Sequence, residues 1–208
     1  MISVAAGQRP GVAAFDFDGT LVAGDSLAPF LARVLGRRRW GQVLGAAGPA
    51  MVAAYRSAGR DGAKAALLRR AVAGLPAQRV GEVGAAYGRE LAGRMVPAMA
   101  RRLEWHRAEG HTLVLVSASL ADYLEPFGRH TGFGRVIATR LEVGDDGCLT
   151  GRLHGANVRG PEKAARLRQV MGDGPVELWA YGDSDGDRQM LALADHPCRV
   201  GGRRPRLR

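Results

Sequence analysis

Four short apolar runs constrain this chain more than any other feature. They are "VAAFDF" (12–17), "HTLVLVSAS" (111–119), "RVIATRL" (135–141) and "VELWAYGDS" (176–184), with a weaker fifth in "CRVGG" (198–202). Each is continuous rather than alternating, the pattern of a strand buried on both faces. Helical stretches lie between them: "PAMARRLEWHRAEG" from Pro97 to Gly110, "PEKAARLRQVMG" from Pro161 to Gly172, and "DRQMLALAD" (187–195). Proline at the start and glycine at the end are favourable helix boundaries. Strand–helix–strand repetition with right-handed crossovers predicts an α/β fold, a doubly wound, Rossmann-like parallel sheet.

Two segments interrupt that rhythm. Residues 26–96 contain no convincing strand and several Ala/Leu/Arg-rich helical pieces, with breaks expected near Gly48-Pro49, Gly59 and Gly74-Leu75-Pro76. They are expected to form a helical cap inserted into a core made of residues 1–25 and 97–208. The second segment, "LEVGDDGCLTGRL" (141–153), reads as a β-hairpin turning at Asp146-Gly147. At 208 residues the chain is long enough for one good core plus such an insert.

The net charge of +10 raises nucleic acid or an anionic membrane as partners, but the basic residues are scattered and nearly all Arg. No nucleic-acid motif accompanies them, so a specific nucleic-acid partner is not expected. The tail "GGRRPRLR" is expected to be a disordered basic end. Cys148 and Cys198 form no metal or redox spacing, which fits a reducing cytoplasm, and "MISVAAGQRPG" is not read as a secretory leader. The longest apolar run, "VLGAAGPAMVAAY" (43–55), is too short to span a membrane and is expected to form a buried helix pair.

Ligands in open α/β sheets bind beyond the carboxyl ends of strands. Asp16 and Asp18 close the first run, Ser117 and Ser119 the second, and Asp183, Asp185 and Asp187 follow the fourth. If those strands are neighbours, the carboxylates converge and destabilise each other unless some are protonated or a cation sits among them. None of the five His or two Cys falls in these clusters, so the ligand set is all oxygen and favours Mg²⁺. Each piece alone has a plainer reading: Asp18-Gly19 as a turn, Asp187 as a helix cap, Asp185 as a solvated acid, Lys163 as an exposed helix residue. Only two lysines occur, Lys64 and Lys163, against a background of Arg.

The order "DFDGTL", "VLVSAS", "GPEK", "YGDSDGD" resembles the four motifs of the haloacid dehalogenase-like hydrolase superfamily. The position of the insert and the hairpin before "GPEK" are most similar to its phosphoserine phosphatase-like branch, subfamily IB. The resemblance implies phosphomonoester hydrolysis through an aspartyl phosphate. It makes Asp16 the nucleophile and Asp18 the acid and base. Mg²⁺ would be held by Asp16, the Asp18 carbonyl and Asp183, with Asp187 orienting that shell. Ser117 and Lys163 would bind the phosphoryl group, beside Ala118 and Ser119, and Gly19 and Gly182 would allow close backbone approach. Asp25, seven places after Asp18, stands where the branch has a Glu that reads a substrate ammonium; Arg56 or Arg60 of the cap would grip a carboxylate. The implied substrate is a small phosphorylated metabolite such as an amino-acid or amino-alcohol phosphate, for example phosphoserine. Transfer of the phosphoryl group to an alcohol, or hydrolysis of a lipid phosphate at a membrane surface, are the alternatives. The oligomeric state is not legible.

Overall fold

The computed structural model describes residues 9–201. The opening residues 1–8 and residues 202–208 of the basic tail lie outside the described residues. Six strands form one sheet in the order β4-β3-β2-β1-β5-β6. They are β1 (Gly11–Phe15), β2 (Thr112–Leu120), β3 (Arg135–Val143), β4 (Leu149–His154), β5 (Glu177–Gly182) and β6 (His196–Arg199). All neighbours are parallel except the hairpin pair β3 and β4. The doubly wound sheet and the hairpin are therefore as the apolar runs predict. The chain winds outward from β1 through β2 and β3, then returns to the other side of β1 at β5. That reversal opens a crevice at the carboxyl ends of β1 and β5.

The unbroken apolar character of the strands follows from cover on both faces. Ala13, Phe15, Leu113 and Leu115 pack with Leu103 of α3 (Pro97–Ala108) and Leu124 and Phe127 of α4 (Ala121–His130). Val12, Ala14, Val114, Val116 and Leu178 pack with Leu167 of α5 (Pro161–Met171) and Met190 of α6 (Arg188–Leu191). Helix α4 is not signalled by the sequence, because Pro126 lies inside it.

Residues between β1 and α3 form α1 (Leu27–Val72) and α2 (Ala77–Ala92). Breaks occur within α1 at Gly36 and at Ala58-Gly59, and both glycines take positive φ (74° and 60°). The break expected at Gly48-Pro49 does not occur. Gly45 and Pro49 are both exposed, so the carbonyl that proline leaves unpaired can face water. The run expected to be a buried helix pair is a single helical stretch; among its described side chains Val43 alone is in the core, while Leu44, Val52 and Tyr55 are about half exposed. The expected helix over 187–195 is cut to Arg188–Leu191, because the Asp195 carboxylate accepts the Leu178 N–H (2.9 Å) and draws the chain back to the sheet. Strand β6 accordingly starts at His196, two residues before "CRVGG". Among the described residues no helix is long and apolar enough to cross a membrane.

Helix α2 lies directly on α4. A Cβ on Gly84 would meet the Asp122 carbonyl oxygen at 2.3 Å, and one on Gly88 the Tyr123 carbonyl oxygen at 2.3 Å. A Cβ on Gly81 of the same helix would meet nothing within 4 Å. Gly88→Ala should therefore destabilise the fold by ~1–3 kcal/mol through overpacking. Gly81→Ala should be neutral or stabilise by up to ~1 kcal/mol through helix propensity. Urea unfolding midpoints at unchanged slope measure both; equal effects at the two positions would contradict the close approach.

Candidate active site

Asp16 extends β1 by one residue, its N–H donating to the Tyr181 carbonyl of β5 (2.9 Å). Phe17 then turns into the core against Phe127, ring centroids 4.8 Å apart. With Phe17 inward, Asp16 and Asp18 both line the cavity at the mouth of the crevice. The chain closes tightly here, the Phe17 carbonyl accepting from the N–H groups of Thr20, Leu21 and Val22 (3.2, 2.9 and 3.1 Å). Gly19 is required twice: its φ is 77°, and a Cβ would come 2.1 Å from Asp183 Oδ2. Gly182 is equally constrained, since a Cβ there would stand 2.5 Å from that of Asp187. Both glycines thus do what the resemblance implies.

The two aspartates have different partners. Lys163 Nζ, on the first turn of α5, contacts Oδ1 of both Asp16 and Asp187 and is only 3% exposed. Lys163 is therefore not the exposed helix residue of the plainer reading. Burial pulls its ammonium down, but the two carboxylates outweigh that and hold it above its ordinary range. Burial pushes Asp16 up to about 7 despite the nearby ammonium, with the Asp187 charge adding to the rise. Asp18 instead accepts from the Ser119 hydroxyl (2.5 Å), the Ser26 hydroxyl (3.1 Å) and the Ser26 N–H (3.0 Å). Burial raises its pKa, and these hydrogen bonds only partly offset the rise. A carboxyl held toward its neutral form among hydroxyls is suited to give up a proton.

Asp187 is fully buried and accepts the Ser184 N–H (3.0 Å) and hydroxyl (2.8 Å), beside Lys163. Carboxylate oxygens of Asp16, Asp183 and Asp187 lie within 4.8 Å of one another. Burial and the Asp187 charge raise Asp183. Among the described residues Lys163 is the one cation in contact with this trio, which therefore carries an excess of negative charge when ionised. An all-oxygen set with that excess fits a divalent cation such as Mg²⁺, held by Asp16 and Asp183 with Asp187 behind them. Asp185 is solvated, its side chain 89% exposed beside Arg199.

Ser117, Ala118 and Ser119 form the opposite wall, where the β2–β3 register shifts between Ser117 and Leu120. The Ser119 N–H donates to Ser117 Oγ (3.1 Å), and both side chains are buried. Asp16, Asp18, Ser117, Ala118, Ser119, Lys163 and Asp183 line one cavity of about 280 Å³, with Asp25, Arg60 and Arg159 also lining it. Asp25 is exposed, and one of its oxygens accepts the Ala28 N–H (3.0 Å) at the start of α1. Arg60, not Arg56, is the cap arginine that lines the cavity.

Sequence reasoning missed several groups here. Ser26 and Tyr123 support Asp18, their hydroxyls 2.9 Å apart. Lys64 of α1 donates to the Ala118 carbonyl (2.5 Å) and to Asn157 Oδ1 (2.6 Å). Its rarity in an Arg-rich chain was the available signal. Ser26, Tyr123 and Asn157 carry none, since each becomes significant only through contacts distant in sequence.

The profile of the haloacid dehalogenase-like hydrolases matches residues 13–192, nearly the whole described chain. The chain belongs to the haloacid dehalogenase-like hydrolase family. Protein CicA of Caulobacter vibrioides is 38% identical over 191 residues, covering 91% of this chain and 85% of that protein. Histidinol-phosphatase of Neisseria meningitidis serogroup C is 27% identical over 110 residues, half of each chain. Among solved structures, a Bordetella pertussis Tohama I protein of unknown function superposes with a TM-score of 0.72 at 22% identity, covering 89% of this chain and 87% of that one. A phosphoserine phosphatase solved as a phospho-aspartyl intermediate analogue shares the fold, with a TM-score of 0.59 at 22% identity over 90% of this chain and 84% of that one.

Carboxylates must be ionised to hold a metal, so cation binding to this hydrolase releases protons. Asp16 is held up to about 7. Apparent Mg²⁺ affinity should therefore rise from pH 5 to pH 7, by up to ~10-fold per unit for one proton released, and flatten above that. Calorimetry in buffers of differing ionisation heat measures both affinity and protons; pH-independent affinity would show that Asp16 is already ionised.

Proposed function

We propose that this hydrolase is a Mg²⁺-dependent phosphomonoesterase working through an aspartyl phosphate on Asp16. The observation that carries the reading is the division of labour between two aspartates one residue apart. Asp16 is paired with the Lys163 ammonium and stands in the acidic cluster, whereas Asp18 accepts, among the described residues, only from the Ser26 and Ser119 hydroxyls and the Ser26 N–H. A carboxylate beside an ammonium and at a prospective cation site is kept ionised once the cation binds and can attack, whereas a buried one among hydroxyls can carry a proton. The similarity to a histidinol-phosphatase and to a phosphoserine phosphatase supports the same class.

In the first step an Asp16 carboxylate oxygen attacks phosphorus as the ester P–O bond breaks, and Asp18 gives its proton to the leaving oxygen. The Ser117 hydroxyl donates to a phosphoryl oxygen, and Lys163 offsets the charge shared by the phosphoryl group and Asp16. Asp18, now a carboxylate, takes a proton from the water that attacks the aspartyl phosphate, releasing phosphate and restoring Asp16. Asp16, Asp183 and the Asp18 carbonyl would hold Mg²⁺, which would supply further neutralisation of phosphoryl charge.

A cavity of about 280 Å³ suits a small substrate. Asp25 and Arg60 offer opposite charges at its lining, which fits an amino-acid or amino-alcohol phosphate such as phosphoserine. One observation favours a second reading, a lipid phosphate. From Ser26 to Arg60 the chain carries six Arg and no acidic residue, and Leu44, Val52 and Tyr55 are half exposed there. An interfacial helix has that chemistry.

The test is a screen of small amino phosphates, alkyl and aryl phosphates and a lipid phosphate, with Mg²⁺ and with chelator. Turnover should require Mg²⁺ and vanish in Asp16→Asn. Asp18→Asn should lose more activity on alkyl than on aryl esters, because an aryl oxide leaves with little protonation. Substantial turnover in Asp16→Asn, or equal losses on both ester types, would contradict the assigned roles.

Lys163 gives a sharper expectation. A compact ammonium reaches Asp16 and Asp187 together from a fully enclosed position, whereas a planar guanidinium is wider and prefers a flat bidentate grip. Lys163→Arg keeps the charge yet should lose at least ~100-fold in kcat, comparable to removing a preorganised donor. Near-wild-type turnover would show that charge alone suffices.

A further inference from the structure

Lys64 lies outside the four motifs, on the helical insert, yet its ammonium is bonded to the turn that binds phosphate in the reading above. Its two acceptors are the Ala118 carbonyl (2.5 Å) and Asn157 Oδ1 (2.6 Å). Asn157 is itself fixed at both ends. Its Oδ1 also accepts from Thr139 Oγ1 (2.9 Å), and its Nδ2 donates to Asp61 Oδ1 (2.9 Å), one helical turn before Lys64. The ammonium therefore has little freedom to swing away from Ala118.

The consequence passes through one peptide plane. The Ala118 carbonyl and the Ser119 N–H belong to the same rigid unit and point in opposite directions. Clamping the carbonyl aims the N–H, which donates to Ser117 Oγ at 3.1 Å. A hydroxyl has one hydrogen and two lone pairs. With one lone pair of Ser117 taken by that N–H, its hydrogen is left to donate into the cavity. We propose that Lys64 is a positioning residue for Ser117, acting through the 118–119 peptide to aim the Ser117 hydroxyl at a phosphoryl oxygen.

This inference rests on the phosphatase reading for its substrate. Burial also draws Lys64 down to about 8, against the attraction of Asp61, Asp18 and Asp25. An ammonium held at that cost is consistent with a task beyond solubility. The competing explanation is a strut that merely ties α1 to the core.

A double-mutant cycle separates the two. Lys64→Met, Ser117→Ala and the double variant are compared in kcat and KM with an aryl phosphate and Mg²⁺, and in inorganic phosphate binding by calorimetry. Lys64→Met should lower kcat by ~10–100-fold, no more than losing the Ser117 donor outright, with KM little changed. In the Ser117→Ala background its further effect should stay within about threefold, near the scatter of independent sites. The same loss in both backgrounds overturns the inference, as does a loss confined to the melting temperature. Asn157→Leu removes the bonds of Asn157 to Lys64, Thr139 and Asp61 but keeps the Lys64 ammonium and its Ala118 acceptor, so it should cost less in kcat than Lys64→Met; a strut predicts equal costs. Lys64→Gln replaces Lys64→Met in the cycle if the latter does not fold. A wild-type protein that binds phosphate but turns over no ester refutes the phosphatase reading alone, and the binding cycle then decides the role of Lys64. Failure to bind phosphate overturns both.

Discussion

Asp16, Asp183 and Asp187 bring carboxylate oxygens within 4.8 Å of one another, with the Lys163 ammonium in contact with two of those three side chains. Most of the local structure exists to hold that unfavourable arrangement. The β1–β5 pairing runs on through the Asp16 N–H, so Asp16 is fixed by the same ladder that builds the sheet. Gly19 and Gly182 give up their side chains so that Asp183 and Asp187 can come against backbone. Asp187 is tied at one oxygen to Ser184 and at the other to Lys163, which leaves it no freedom to escape the cluster. Removing one partner of a buried pair costs ~3–5 kcal/mol, because the other charge remains buried. The cluster is thus interlocked, and a bound cation relieves a repulsion already present in the fold.

The insert is bound into this arrangement at three levels. Ser26, at the entrance to α1, holds Asp18 through both its N–H and its hydroxyl. Lys64, near the other end of α1, holds Ala118. Helix α2 meets α4 through glycines at backbone contact, and its Tyr87 joins the aromatic cluster of Phe30 and Tyr123 behind Asp18. One buried cluster runs from Phe15 and Phe17 of the core into Phe30, Leu68 and Val80 of the insert. Between Gly36 and Gly59 few of the described side chains are buried, so this arm of α1 is the part of the insert least tied to the core.

How much of this the sequence carries depends on the range of each signal. Strands buried on both faces must be apolar throughout, so β1, β2, β3 and β5 are visible locally. The acidic clusters are visible because fixed spacing at a strand end is also local. Signals fail where a tertiary contact overrides a local rule. Pro126 hides α4, although the helix is held by Leu124 and Phe127 in the core. Pro49 predicts a break that solvent exposure makes unnecessary, and the actual breaks fall at glycines of positive φ. Helix α6 is shortened by a hydrogen bond from Leu178 to Asp195, a pair no pattern connects. Lys64, Ser26 and Asn157 reach the site only after 8 to 93 residues of chain have been brought together.

The wall behind Asp16 is held without formal charge. Tyr181, whose carbonyl takes the Asp16 N–H, stacks on Phe15 with centroids 4.5 Å apart. Its hydroxyl lies 2.8 Å from His106 Nε2, and His106 Nδ1 lies 2.7 Å from His111 Nδ1. Burial pushes the Tyr181 phenol up to about 12 and His106 down to about 3, and it lowers His111 as well, which favours the neutral form of all three. One consistent assignment has the phenol donating to Nε2 and the His106 Nδ1–H donating to His111. His111 then stacks on Trp179, which is covered on its other side by His196. A neutral, directional chain of this kind fixes β5 without adding charge near carboxylates that already repel. A charged pair in the same place would shift the balance that Lys163 keeps, since buried charges act over longer distances than in water. Behind Asp16 the holding is therefore done by neutral hydrogen bonds and stacked rings, while the buried ion pairs among the described residues, Lys163 with Asp16 and Asp187, lie at the site.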